Sequence, residues 1–255
     1  MRKRFSVFSL IVSCLCVAAV SAQAAPKIGV ASAVRNDVQR VVGSGGQPLA
    51  VGSDVFTNER IRTGEASTAQ ILFLDKTSLT VGSRAEITLD RFVFNPSKGA
   101  GQVVLSALNG AFRFVTGSQD PRNYTVRTPV GVIGVRGTIF DGLMENNPRP
   151  ELRKLTVILV EGSLSITFNG QTYTLTKPGT AFIFLGDGTV QGPVAWDGTI
   201  FSTDTAGNFP LYGWRFNGQQ TNNGLPDVNL GNIDQLNAII QHQLPPPTPP
   251  CSEYC

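Results

Sequence analysis

The sequence predicts an all-β protein, and three observations lead to that prediction. Short runs in which apolar and polar residues alternate, such as residues 70–74 and 86–94, recur along the chain. Glycine-containing turn signals separate these runs at short intervals, and no helical period is found between residues 27 and 185. The pattern is typical of an irregular β-solenoid or roll, or of a sandwich, of short antiparallel strands, followed here by one short C-terminal helix.

Glycine-containing pairs mark the predicted turns. Asn109-Gly110 and Asn169-Gly170 each lie between alternating runs, and Asn-Gly tolerates the positive φ angles of a type I′ hairpin turn. Glu161-Gly162 predicts a weaker turn after residues 155–160, whose continuous apolar run indicates burial on both faces. Residues 75–77 predict a further tight turn between two strands.

Residues 1–24 have the pattern of a secretory signal peptide. A basic start is followed by an apolar run at residues 5–20 and by a small-residue motif that ends at Ala24, after which we expect cleavage. The apolar run is too short to be a good permanent span, so the mature protein is expected in the periplasm or outside the cell, without an integral membrane span. A lipoprotein signal ending at Cys14 is the alternative.

The mature chain offers no electrostatic reason for binding nucleic acid. Arg2, Lys3 and Arg4 account for the whole formal net charge of +3, and these residues leave with the signal peptide. The remaining basic and acidic residues are balanced, and a neutral chain has no net attraction for phosphates. Neither nucleic acid nor an acidic membrane is therefore an expected partner.

The cysteines and the histidine do not predict a metal site or a cofactor. Two of the four cysteines leave with the signal peptide, and the remaining pair, Cys251 and Cys255, lies at the end of the chain. This pair either closes a small local disulfide loop or joins two chains, and its spacing alone does not decide. His242 is the single histidine, which is too little for a soft metal site or a Ser-His-Asp arrangement.

Composition divides the mature chain into three regions. Residues 27–185 predict one β domain, and residues 186–244 an irregular aromatic-rich region with a short helix at about 233–243. Residues 245–255 form a proline-rich tail with the cysteine pair, expected to be extended. We therefore expect one folded unit with an irregular C-terminal extension.

A succession of short motifs lies between about residues 49 and 179. The motifs are LAVGSD at 49–54, ERIRTG at 59–64, DKTSL at 75–79, LNGAFRF at 108–114, YTVRTP at 124–129, VRGTIF at 135–140, VEGSL at 160–164 and KPG at 177–179. In this order they resemble the FecR family of exported sensor and regulator domains. The resemblance implies a β architecture. In the name-giving members it also implies signalling, in which a periplasmic part receives a message from an outer-membrane transporter and controls a cytoplasmic sigma factor.

The sequence departs from that signalling pattern at its start. No cytoplasmic anti-sigma segment precedes the predicted leader, so direct contact with a cytoplasmic sigma factor is not expected. What the resemblance implies is binding to another protein outside the cytoplasm. The favoured hypothesis is therefore a non-catalytic binding or scaffolding module for an envelope protein, acting through exposed strand edges and loops.

The motif TPVGVIGVRGTIFD at residues 128–141 places a glycine at every third position, which suits a bent strand better than a plain one. The favoured interpretation is a strand, a bulged corner and another strand, with Arg136 bonded to a buried carbonyl or to an acidic neighbour. The alternative is an anion-binding nest in which backbone N–H groups and Arg136 hold a phosphate or carboxylate.

Two further hypotheses involve carbohydrate. Trp196, Tyr212 and Trp214 either stack on the sugars of a glycan such as peptidoglycan or cap an open end of the core. A glycan-cleaving enzyme would need two facing carboxylates. Candidates are Asp54, Glu59, Asp75, Glu86, Asp90, Asp141 and Glu161. Most of them lie beside turns, where Asp and Glu commonly bond the local backbone, so catalysis is not expected.

Overall fold

The computed structural model describes residues 25–94 and 101–196, which form fifteen β-strands and two single-turn 3-10 helices. The strands β1 to β15 are Lys27–Arg35, Val38–Val42, Gly45–Pro48, Asp54–Phe56, Glu59–Thr63, Thr68–Phe73, Ser78–Val81, Glu86–Val93, Gln102–Val115, Tyr124–Arg127, Val132–Glu145, Lys154–Phe168, Gln171–Leu175, Thr180–Leu185 and Val190–Ala195. The all-β prediction is confirmed. The signal peptide and the predicted helix at 233–243 lie outside the described residues.

Three strands are much longer than the sequence predicts, and each bends near its middle. β9, β11 and β12 have 14, 14 and 15 residues, and each contains a glycine with positive φ: Gly110 at +85°, Gly137 at +61° and Gly162 at +80°. The pairing register shifts near all three glycines. An extra residue on one side of a ladder bends the strand, and glycine accepts the required backbone angles.

The bends fold one hydrogen-bonded sheet into two layers. Layer 1 has the order β3-β2-β5-β8-β9-β10-β11-β12-β13 and contains residues 102–109, 132–136 and 163–168 of the long strands. Layer 2 has the order β4-β1-β6-β7-β9-β11-β12-β14-β15 and contains their other halves. Among the described strands, β9 and β10 form the single parallel pair.

A single hydrophobic core lies between the layers, and aromatic side chains connect them. Phe73 of layer 2 stacks on Phe92 of layer 1, with ring centroids 5.6 Å apart. Phe168 and Phe184 make a similar contact across the layers at 5.3 Å. Phe73, Phe168 and Phe184 are buried, and a buried side chain of this size contributes about 1.5–3 kcal/mol of hydrophobic stabilisation, so these contacts help to hold the layers together.

Two predicted turns are wrong. Asn109-Gly110 lies inside β9 and Glu161-Gly162 lies inside β12, so neither pair ends a strand. Both glycines are needed for packing as well as for conformation: a Cβ on Gly110 would lie 2.4 Å from the Cβ of Ala85, and one on Gly162 would lie 2.0 Å from a backbone oxygen of the neighbouring strand. A long strand that changes layers needs such a glycine as much as a hairpin does.

The other turn predictions are confirmed. Asn169 and Gly170 have φ angles of +46° and +77° and connect the paired strands β12 and β13. Residues 75–77 connect β6 and β7, with Lys76 at φ +68°. Residues 155–159 are buried on both faces of β12, as their continuous apolar run predicts. The sheet continues beyond residue 185, because β15 pairs with β14.

Candidate protein-binding surfaces

A row of six buried side chains crosses the outer face of layer 2, which is the face turned away from the core. Successive members are register partners on neighbouring strands. We call them the outer row: Gln70, Thr80, Arg113, Asp141, Ile158 and Ala181. Their sequence neighbours point into the core, since side chains alternate along a strand. All six are at most 8% exposed, which is unusual for the outer face of a two-layer fold.

An ion pair lies in the middle of the outer row. Arg113 Nε donates to Asp141 Oδ1 at 2.6 Å, and the terminal nitrogen donates to Oδ2 at 2.7 Å. The two residues are 8% and 2% exposed. The two parallel bonds are the strongest geometry that arginine and a carboxylate form. Because both charges are removed from water, each depends on the other.

The outer face of layer 2 is apolar at the end near β14 and β15. Ala111, Ile158 and Ala181 form a buried cluster separate from the main core, and Leu143 and Trp196 pack against it. Trp196 is held there by its backbone N–H, which donates to the carbonyl of Gly179 at 2.9 Å. Trp196 therefore lies on the outer face of layer 2. Its predicted role in glycan stacking stays a prediction.

The outer face of layer 1 is polar and exposed. Its exposed side chains include Arg60, Arg62, Arg127, Arg136 and Thr167. Arg60 and Arg62 both bind the carboxylate of Glu86 at 3.1 Å in a solvated cluster. This face has the surface that the sequence predicts for a half-buried antiparallel sheet.

Arg136 lies at the bend of β11, where the sequence predicts either scaffold or an anion site. The side chain is exposed. The backbone N–H of Arg136 donates to Thr138 Oγ1 at 3.3 Å, and the N–H of Thr138 donates to Thr116 Oγ1 at 2.9 Å. These two donors are occupied within the protein, so the predicted nest lacks them. The strand and bulge that the sequence predicts here are present, with Gly137 at φ +61°.

Most of the candidate catalytic carboxylates are bonded to neighbouring groups within the fold. Asp54 binds Lys27 at 2.6 Å, and Asp90 accepts from the Ser106 hydroxyl at 2.6 Å. Glu59 accepts from the Phe56 N–H at 2.8 Å and lies 3.1 Å from Arg40, and burial raises the pKa of its carboxyl. Glu161 is exposed. Within residues 25–94 and 101–196, no three His, Cys, Asp or Glu side chains are grouped to hold a metal ion.

Asp75 is the centre of a buried polar network that the sequence does not reveal. Its carboxylate accepts hydrogen bonds from the Thr77 N–H at 2.9 Å, Gln119 Nε2 at 2.8 Å and the Tyr124 hydroxyl at 3.1 Å. Burial and the nearby charge of Asp75 raise the pKa of Tyr124 to about 12. The network fastens the segment before β10 to the β6–β7 turn. Asp75 at a turn is a visible signal, but its partners are 44 and 49 residues away in sequence.

The free edge of layer 1 at β13 is open to another strand. No strand in the described part of the chain pairs with its far side. Because β12 and β13 are joined by a two-residue turn, the backbone groups of Thr172 and Thr174 point away from β12. Both residues are exposed, whereas Tyr173 points inward to Phe182 and Phe184, at ring distances of 5.5 and 5.3 Å.

The other three edges are protected by sequence features that discourage pairing. β3 contains two glycines and a proline, β4 has three residues, and β15 contains Pro193 and a register shift. Short edges, prolines and bulges are the usual means by which proteins prevent edge pairing. The ladder between β12 and β13 has no register shift, so β13 is the flat and unprotected edge.

The remaining predicted site residues, Tyr212, Trp214, Cys251 and Cys255, lie outside the described residues. The described residues contain no helix of sufficient length and apolar character to cross a membrane.

Comparison with known proteins identifies the central part of the chain. Residues 59–165 match the family model described as FecR protein. A solved structure of a candidate anti-sigma factor from Parabacteroides distasonis is 16% identical and has a TM-score of 0.40, covering 52% of this chain and 57% of that one. A second structure, also of a candidate anti-sigma factor from that organism, is 14% identical with a TM-score of 0.39 and the same coverage. The match thus spans little more than half of those chains, and no curated protein matches.

Proposed function

The chain carries a FecR domain, and from this premise we propose that it is an exported, non-catalytic module that binds another envelope protein at the edge of β13. The FecR match at residues 59–165 supports a role in signalling. The observation that carries the finer proposal is the flat, unpaired edge of β13, where Thr172 and Thr174 present backbone groups to solvent.

Strand addition at this edge needs no catalytic side chains. An extended partner segment would receive main-chain hydrogen bonds from Thr172 and Thr174, and the exposed threonine side chains on either side of Tyr173 would contact its alternate residues. Tyr173 packs on Phe182 and Phe184, which fixes β13 to layer 2 and keeps the edge straight. The edge is therefore preorganised, which lowers the entropy cost of binding.

Export is proposed from the pattern of residues 1–24, with cleavage after Ala24 and a periplasmic or extracellular destination. The absence of a catalytic role is proposed from the candidate carboxylates. Asp54, Glu59, Asp75, Asp90 and Asp141 are each engaged by a partner within the fold. In these positions the carboxylates accept hydrogen bonds or pair with charges inside the fold, a role that requires no substrate.

The test is an in-cell crosslinking pull-down with the tagged mature protein after cell fractionation. We expect the protein in the envelope or medium fraction, and a saturable envelope protein recovered at nearly equal amount. Thr174→Pro removes the outward N–H without touching the bonds to β12, so recovery is expected to fall about tenfold. Thr174→Val keeps the backbone donor and is the matched control, with recovery expected to be unchanged.

Equal recovery by both variants, with circular dichroism showing the same fold, would place the binding site elsewhere and overturn the β13 proposal. The second candidate, binding to a glycan such as peptidoglycan, depends on Trp196, Tyr212 and Trp214. Recovery of glycan in place of protein, lost on Trp196→Ala with unchanged folding, would favour that candidate.

A further inference from the structure

The burial of the outer row needs a cover, and the described strands do not provide one. All fifteen strands belong to layer 1 or layer 2, so none of them forms a third layer over this face. Yet Ile158 and Ala181 are 0% exposed, and Asp141 is 2% exposed. The outer face of layer 1, built from the same long strands, is exposed at Arg136 and Thr167.

We infer that residues 201–216 of this chain pack across the outer face of layer 2 as a third layer. This goes beyond the proposed function, because it assigns an intramolecular occupant to a face that plays no part in strand addition at β13. The occupant is chosen from the point at which the described chain ends. Trp196, the last described residue, already packs on Ala111, Ile158 and Ala181 at the apolar end of this face.

The composition of the following segment fits the face. Residues 201–216 contain five aromatic side chains: Phe201, Phe209, Tyr212, Trp214 and Phe216. An aromatic segment beginning a few residues after Trp196 is placed to extend the contact that Trp196 starts, since aromatic side chains bury about 150–250 Å² each. The polar side chains of the outer row form their own pairs, such as Arg113 with Asp141, and therefore tolerate an apolar cover.

The length also fits. Six strands from β6 to β14 lie side by side in layer 2, and at a spacing of about 4.8 Å they span roughly 24 Å. Sixteen residues in extended form reach about 50 Å, so the segment is long enough to cross the face with turns to spare. A buried hydroxyl on this face, Thr156 Oγ1, has no hydrogen-bond partner among the described residues, and buried polar groups normally have one.

The test measures the reactivity of a thiol placed on the covered face. In the full mature chain with Cys251→Ser and Cys255→Ser, the reporter is Ala181→Cys, and labelling by a maleimide is expected to be slow. Replacing the aromatic residues Phe209, Tyr212 and Trp214 with serine is expected to raise the labelling rate at least tenfold, because the reporter loses its cover. Replacing Gln219, Gln220 and Thr221 with serine is the matched control, with no change in rate expected.

Two further reporters control for folding. Thr167→Cys, on the exposed face, is expected to react quickly in every chain, and Ala107→Cys, in the core between the layers, is expected to react slowly in every chain. Fast labelling of Ala181→Cys with the native segment, or an unchanged rate after the aromatic replacements, would overturn the inference.

A second measurement keeps the aromatic residues of segment 201–216, so it remains valid if replacing them unfolds the domain. The chain has two tryptophans, so Trp196→Phe leaves Trp214 as the single indole emitter. We expect acrylamide to quench the fluorescence of Trp214 only weakly. Ile158→Lys, on the covered face, is expected to increase the quenching several-fold. Thr167→Lys lies at the exposed end of the same strand and is the control, with no change in quenching expected. Equal quenching in the two lysine variants would contradict the inference.

Discussion

The two outer faces of this protein differ although the same strands build both. On β12, Ile158 is fully buried in the outer face of layer 2, whereas Thr167 is exposed in the outer face of layer 1. On β11, Asp141 is buried beside Arg113, whereas Arg136 is exposed to solvent. One strand thus supplies a covered face and a solvated face, and the bend at its glycine separates them.

The difference teaches that the environment of a strand residue is decided by layer as well as by alternation. Alternation along the strand places the side chains of Asp141 and Thr167 alike on an outer face. Only the layer to which each belongs decides whether water reaches it. An arginine–carboxylate pair is consequently expected to contribute differently to the free energy of unfolding on the two faces.

The largest expected effect compares an ion pair on each face. Arg113→Ala leaves the buried carboxylate of Asp141 without its partner, so the free energy of unfolding is expected to fall by about 3–5 kcal/mol. Arg62→Ala removes an exposed partner of Glu86 and is expected to cost less than about 1 kcal/mol. Urea denaturation of both variants measures the difference. Equal losses would show that solvent reaches the Arg113–Asp141 pair.

The next effect compares the bend between the faces with an ordinary hairpin. Gly162 has a φ of +80°, and Gly162→Ala would bring a Cβ to 2.0 Å from the carbonyl oxygen of Gly137, so the substitution is expected to cost about 2–4 kcal/mol. Gly170→Ala has a similar φ of +77° but no atom within 4 Å, and is expected to cost about 1 kcal/mol. Thermal unfolding distinguishes them, and a milder loss for Gly162→Ala would mean that the bend is not tightly packed.

The smallest effect lies between the faces, in the Asp75 network. The pKa of Tyr124 is about 12 in the folded protein and about 10 in an unfolded chain. The neutral phenol therefore contributes stability that is fully present below pH 10 and is lost as the pH rises towards 12. The slope due to this one group is at most about 1.4 kcal/mol per pH unit.

Tyr124→Phe removes the hydrogen bond to Asp75, so its free energy of unfolding at neutral pH is expected to fall by about 1 kcal/mol. Without the phenol, the variant should also lack the loss of stability that Tyr124 causes between pH 10 and 12. Tyr173→Phe, which alters a phenol bonded to Gln171 on an exposed strand, is the control and should keep the decline. Urea denaturation at pH 8, 10 and 11 measures both. Parallel pH profiles for Tyr124→Phe and the unchanged protein would contradict the assignment.

The Asn-Gly pairs show how far local sequence reaches. Both predict a type I′ turn equally well, yet Asn169-Gly170 ends a strand and Asn109-Gly110 continues one. The difference arises at a distance: Asn109 bonds the carbonyl of Arg84 at 2.9 Å and accepts from the Asn146 N–H at 3.1 Å, and Gly110 packs on Ala85. These partners lie 25 and 37 residues away, so the residues next to Asn109-Gly110 in the sequence do not reveal them.

The candidate sites show the same limit. The sequence singles out Arg136, Trp196 and several carboxylates by residue type, but it does not pair Arg113 with Asp141 or Asp75 with Gln119 and Tyr124. Those pairs depend on strand order, since residues in contact on a sheet are neighbours across ladders that sequence separation does not reveal. The sequence likewise predicts binding through exposed strand edges, but it does not identify β13 as the open one.

The sequence by itself determined that the chain is all-β, where several strands lie and that the glycines of the Asn-Gly pairs need unusual backbone angles, because alternation and φ preference are local properties of the chain. The tertiary structure alone decided that three glycines are bends between layers, that one outer face is buried and that β13 is the open edge. These properties depend on which strands become neighbours, and that choice is made by burying one common core between the layers.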